Sequence, residues 1–120
     1  MNVTVVGALL GALSVALGAF GAHALRGRIE PSMLEVFETA VRYQFLHALA
    51  LLFVGRMRAE SRPLSGLAAG LFVAGIVLFS GSLYALVFTR AVLWGAVTPL
   101  GGLSFIAGWI VLARAAWSRA

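Results

Sequence analysis

The feature that most constrains this 120-residue chain is where its charges do not fall. Four stretches carry none: Asn2 to Leu25, Tyr43 to Gly55, Pro63 to Thr89 and Ala91 to Ala113. A helix rises about 1.5 Å per residue, so crossing roughly 30 Å of hydrocarbon takes about 20 apolar residues. The first, third and fourth stretches are long enough. The second has only 13 residues, or roughly 20 Å of helix. To span, it must draw in the residues before it, and these include Glu38, Thr39 and Arg42.

Composition supports lipid as the solvent. The chain is 62% hydrophobic and 11% charged, against about 45–50% and about 25% in an average soluble domain. A chain this small could not hide so much apolar surface in one aqueous core. An ordinary soluble globule and a disordered segment are therefore excluded. Cysteine is absent, which removes a disulfide scaffold, a thiolate nucleophile and a Cys-based zinc site. All the basic residues are Arg and all the acids are Glu; without Asp, most metal-carboxylate and phosphoryl-transfer sites lose their usual ligand. The net charge of +5 does not point to nucleic acid, because the arginines punctuate the ends of apolar runs.

The expected fold is all-α: a polytopic membrane protein, with four transmembrane helices in one compact bundle, spanning about 3–25, 36–56, 65–88 and 98–116. Ser32 and Glu35 fit a capping box that opens the second helix near Met33, with Pro31 just outside it. Thr98 and Pro99 fit an N-cap and first residue for the fourth. Arg56, Arg58, Arg62, Arg114 and Arg119 fall on the side of the termini, and Arg26, Arg28 and Arg90 on the other. That balance leans towards cytoplasmic termini in the bacterial inner membrane.

Lipid gives helices no hydrophobic reason to associate, so small residues must let backbones approach. Gly7, Gly11, Ser14, Gly18 and Gly21 line the first helix, Gly66, Gly70 and Ala74 the third, and Gly101, Ser104 and Gly108 the fourth. These stripes serve either packing within the bundle or homo-oligomerisation.

Depth arithmetic places the polar side chains in one leaflet. His23 lies about 3 Å inside the boundary, Glu38 about 3 Å, Arg42 about 9 Å and His47 about 16 Å. Ser80, Ser82 and Tyr84 close the third helix there, and Thr98 opens the fourth. Glu38 and Arg42 are spaced to pair at i,i+4, with His23 or Tyr84 as further partners for the guanidinium. Thr39, Tyr43 and His47 form an adjacent strip at i,i+4,i+8, with Gln44 beside it. Such a cluster is either glue between helices or a small polar cavity open to one side, for an ion, a lipid head group or a partner's charge. His47 could relay protons or sit neutral in the bundle. His23 and His47 differ by roughly 12 Å along the membrane normal, which argues against a shared haem. No nucleophile–base pair or metal constellation is recognisable, so no catalytic residue, metal or cofactor is expected.

The segments Gly18-Ala-Phe-Gly-Ala-His-Ala-Leu25, Tyr43-Gln-Phe-Leu-His-Ala-Leu-Ala-Leu-Leu52, Leu78-Phe-Ser-Gly-Ser-Leu-Tyr84, Thr98-Pro-Leu-Gly-Gly102 and Gly108-Trp109 occur in this order. Over essentially its full length the chain resembles the YgdD-type family of small bacterial inner-membrane proteins, related to the eukaryotic transmembrane protein 256. The resemblance implies a four-helix membrane protein and supplies no activity, since the family's domain is one of unknown function. Two readings follow. The first is a non-enzymatic membrane protein acting by self-association or as an accessory subunit, with membrane lipids around it. The second is a minimal transporter or channel for a small solute or proton, lined by His23, Glu38, Arg42 and His47.

Overall fold

The computed structural model describes residues 2–117, so Arg119 of the charge count lies outside the described residues. Among the described residues the chain forms four helices and no strand: α1 (Val3–Leu25), α2 (Pro31–Ala59), α3 (Ser65–Thr89) and α4 (Trp94–Trp117). Asn2 caps α1 by accepting the Val5 amide at 3.2 Å. Its last turn, Gly21–Leu25, widens to π pitch, as does Ile76–Ser80 within α3. Three helices, α1, α3 and α4, are long and apolar enough to cross a membrane. The fourth, α2, does not reach that hydropathy.

Two helix starts differ from expectation. Helix α2 begins at Pro31, in the first turn where its missing N–H costs nothing, and no side chain caps it. The capping box is not formed: Glu30 is the N-cap, and its carboxylate takes Arg90 at 2.6 Å instead. Helix α4 begins at Trp94, four residues before Thr98, and carries Pro99 inside it. A proline there removes only the bond to the Gly95 carbonyl, on an exposed residue where head-group water can replace it.

Helix α1 packs along α2 and α4 along α3, with α2 and α3 in the centre. Position does not simply follow polarity: α2, with the most intramembrane polar residues, shares the centre with α3, the most apolar of the candidate spans. One apolar core joins Leu51, Val54, Ala68, Phe72, Ile76, Phe105 and Leu112. A second joins Leu25, Leu34, Phe37 and Val87 near the α1–α2 and α3–α4 turns. Buried Gln44, His47 and Ser80 belong to neither cluster. Open pockets remain at that end, one lined by Arg26, Ser32, Glu35 and Glu38 and one by Ser32, Glu35, Thr39 and Leu83.

The glycines divide sharply. A Cβ on Gly7 would lie 2.9 Å from the Ala48 carbonyl, and one on Gly108 2.9 Å from the Phe72 ring. Gly101 abuts the Phe79 backbone itself. Gly11 and Gly70 have nothing within 4 Å, Gly18 makes ordinary contact with Val41 at 3.6 Å, and Gly66 meets only the flexible Arg58 side chain. The seam on α1 is Gly7, Ser14 and Gly21, a seven-residue repeat. Each heptad drifts about 20° round a straight helix, so the contact line winds away from Gly11 and Gly18. Gly55, against Thr4, and Gly75, against Phe105, are packing glycines that the stripe pattern does not single out.

Candidate functional site

Most of the polar side chains expected in one cluster are present as separate, internally satisfied pairs. Gln44 donates its Nε2 to the Leu10 carbonyl at 3.1 Å and accepts the Tyr84 hydroxyl on Oε1 at 2.7 Å, tying α1, α2 and α3 together. The two partners fix the amide's orientation, since a carbonyl can only accept. Ser80, presented by the π turn of α3, donates to the Ala40 carbonyl at 2.7 Å. Ser82 and Thr98 share a 2.6 Å bond between α3 and α4, which is the role Thr98 plays in place of an N-cap. Among the described residues, no buried side-chain nitrogen or oxygen lacks a partner.

His47 is held at both ring nitrogens. Nδ1 lies 2.7 Å from the Tyr43 carbonyl, an acceptor, so it carries the proton. Nε2 then accepts from the Trp109 indole N–H at 3.0 Å. Tryptophan can only donate, so the ring is fixed as the neutral Nδ1–H tautomer with no free site for a second proton. The ring stacks on Phe105 with centroids 3.6 Å apart and planes 10° apart, and touches Phe72 at 5.6 Å. This is the main bridge between α2 and α4, whose backbones stay apart over nearly all their length. Trp109 and Phe105 were not foreseen as site residues. The available signal was an indole in the middle of a span, away from the interface belt where tryptophan concentrates.

The charged groups pair differently from the i,i+4 expectation. Glu38 takes Arg26 at 3.3 Å, across the first turn, and not Arg42. His23 is exposed and neither His23 nor Tyr84 reaches the guanidinium. Arg42 is exposed on the side of α2 and has no ion-pair or hydrogen-bond partner among the described residues. Tyr43 packs at a tilt of 36° on Phe79, centroids 4.6 Å apart, and its hydroxyl is also without a partner among the described residues.

Both residues sit at an open groove of about 630 Å³ between α2 and α4, lined further by Leu46, His47, Phe79, Gly102, Phe105, Ile106 and Trp109. A smaller, mostly apolar cleft, bounded by Ser14, Val15, Gly18, Phe37, Glu38, Val41 and Phe45, lies on the other side of Arg42. No group of three or more His, Cys, Asp or Glu able to hold a metal occurs among the described residues. The arrangement can hold an anion at Arg42 and an apolar body against the aromatic floor.

Comparison with known proteins places this geometry in a family. A UPF0382 membrane protein of Bacillus subtilis, YwdK, is 47% identical over 114 residues, covering 93% of this chain and 93% of its own. A UPF0382 membrane protein of Staphylococcus aureus (strain bovine RF122 / ET3-1) is 46% identical over 108 residues, 90% of this chain and 88% of its own. One from Staphylococcus haemolyticus is 44% identical over the same shares. No solved structure matches. The family model for a protein of unknown function, DUF423, matches residues 17–102, which takes in Arg42, the polar layer and most of the groove. The chain is a helical membrane protein, and it belongs to the DUF423 family.

Proposed function

We propose that this protein is a non-enzymatic, multi-pass component of the bacterial plasma membrane that works by lateral association, as a homo-oligomer or an accessory subunit of a larger assembly. The observation that carries the reading is a surplus of close-packing sites. Gly7, Gly75, Gly101 and Gly108 are consumed by the chain's own packing, whereas Gly11 on α1 and Gly70 on α3 face open space. Around them stand exposed Leu9, Leu13 and Leu67. Small residues flanked by apolar ones on a lipid-facing surface suit the approach of another helix. Proton relay is less well supported, because both nitrogens of His47 are engaged. The arginine balance supports cytoplasmic termini, with Arg56, Arg58, Arg62 and Arg114 against Arg26, Arg28 and Arg90 among the described residues.

The test uses Gly11→Leu and Gly70→Leu. At both positions an added Cβ meets nothing within 4 Å, so each variant is expected to stay close to the wild-type thermal midpoint. On this reading at least one of them loses a cross-linked species seen with wild type in native membranes. A wild type that cross-links to nothing, and is monomeric in mild detergent and in nanodiscs alike, overturns it.

A further inference from the structure

Arg42 is the charge the fold leaves unaccounted for. It lies one helical turn, about 6 Å, below Glu38, the carboxylate spaced to neutralise it. Glu38 is occupied by Arg26, and the next acid towards the turn, Glu35, is a further turn away on the same helix. An exposed arginine on a soluble protein is satisfied by water. On a lipid-facing surface a guanidinium is costly unless it snorkels to the head groups or meets something anionic, and the phosphates at that level supply both. Beside it the Tyr43 hydroxyl is a second donor without a partner among the described residues.

The groove these two groups head is shaped for an apolar body. Its floor is Phe79, Phe105 and Ile106, with the His47–Trp109 bridge further along. It is open because of one residue. In the pair Gly101-Gly102, the first glycine is consumed against Phe79, while the second has nothing within 4 Å and leaves the space free. From Gly102 to Trp109 the wall extends about 10 Å along α4. A cation at the top of an apolar trough is complementary to an anionic amphiphile.

We propose that the groove between α2 and α4 binds one anionic phospholipid. Its phosphate is held by the Arg42 guanidinium and the Tyr43 hydroxyl, and one acyl chain lies along Phe79, Phe105 and Ile106. This goes beyond lateral association and uses other residues, so the Gly11 and Gly70 variants test the two independently.

The experiment is native mass spectrometry of the full-length protein in mild detergent with added phosphatidylglycerol or phosphatidylcholine. Wild type retains one phosphatidylglycerol, preferred by about tenfold or more, the scale of one charge-assisted hydrogen bond. Arg42→Gln reduces phosphatidylglycerol to the phosphatidylcholine level, and Arg42→Lys keeps most of the preference. Gly102→Leu fills the trough and lowers retention of both lipids. Arg58→Gln, an exposed arginine outside the groove, changes nothing. Should Arg42→Gln not fold, Gly102→Leu and Arg42→Lys decide. Equal retention of the two lipids by wild type overturns the proposal, as does an unchanged preference in Arg42→Gln. So does displacement of the lipid by excess inorganic phosphate, which would make the site one for a free anion. A dimer cross-linked from position 42 to a glutamate of a second copy, and dissolved by Arg42→Gln, also overturns it by assigning the guanidinium to protein.

Discussion

Replacing Trp109 with phenylalanine isolates one hydrogen bond in a bundle held mostly by shape. Phenylalanine keeps an aromatic ring near Phe72, now 5.0 Å away at 68°, and near His47 at 5.7 Å, but has no N–H. His47 is only 4% exposed, so its Nε2 would be left without a donor and without water. Stranding a buried acceptor costs about 1–3 kcal/mol in general. Interhelical hydrogen bonds within membranes average about 0.6 and reach about 1.7 kcal/mol. Near-complete burial of this acceptor puts the expected loss at about 1–1.5 kcal/mol. The measurement is unfolding in bicelles by steric trapping, run as a double-mutant cycle with His47→Phe. Each single change should destabilise, and the double change should cost less than the sum by about 1 kcal/mol. If Trp109→Phe costs less than about 0.3 kcal/mol and the coupling is zero within error, the α2–α4 bridge is packing alone and the fixed-tautomer argument fails.

The glycine pair supplies a comparison between adjacent positions. Gly101→Ala drives a methyl into the Phe79 backbone, which cannot move aside as a side chain can, and should cost about 1–3 kcal/mol by the same assay. Gly102→Ala should stay within about 0.5 kcal/mol of wild type, having nothing to meet. At the turn between α2 and α3, the Arg56 side-chain hydrogen bond at 2.9 Å, aided by its charge and that of Arg62, holds the Glu60 carboxyl below its ordinary value. A depressed carboxylate contributes stability that is complete above that ordinary value, 4.5, and disappears as pH falls through the lower folded value. Amide protection factors at 56–62 should therefore decline below that pH in wild type and show no such step in Glu60→Gln.

Much of this fold could be read in advance because lipid restricts the choices. Charge-free runs of sufficient length read as helices able to cross a membrane, and α1, α3 and α4 are long and apolar enough to do so. Where the local rules admitted two answers, tertiary contacts chose between them. Pro31 with Ser32 and Glu35 can start a helix in two registers, and the ion pair of Glu30 with Arg90 favours the earlier one. Glu38 and Arg42 can pair along one helix face, but the turn after α1 brings Arg26 to Glu38. Membership of the polar layer was legible for Gln44, His47, Ser80, Ser82, Tyr84 and Thr98, and their partners were not. Five of those partners are backbone carbonyls, at Leu10, Ala40, Tyr43, Phe79 and Trp94, which carry no mark in a sequence.

The polar layer gives α2, the least apolar helix, a packing role beside α3 at the centre. Apolar packing between helices in lipid has little to distinguish one axial register from the next, since lipid contacts nearly replace helix contacts. Directional bonds do distinguish them. A slide of α2 by one turn would strand Gln44 from Leu10 and Tyr84, His47 from Trp109 and Ala40 from Ser80 at once. These polar groups are therefore accounted for by what they do inside the chain, and their presence calls for no further function. Arg42 differs because no ion-pair or hydrogen-bond partner for it occurs among the described residues. It neither fixes the register nor completes the core, and it lines a groove where a Cβ on Gly102 would meet nothing, which is why the proposed lipid site rests on this residue.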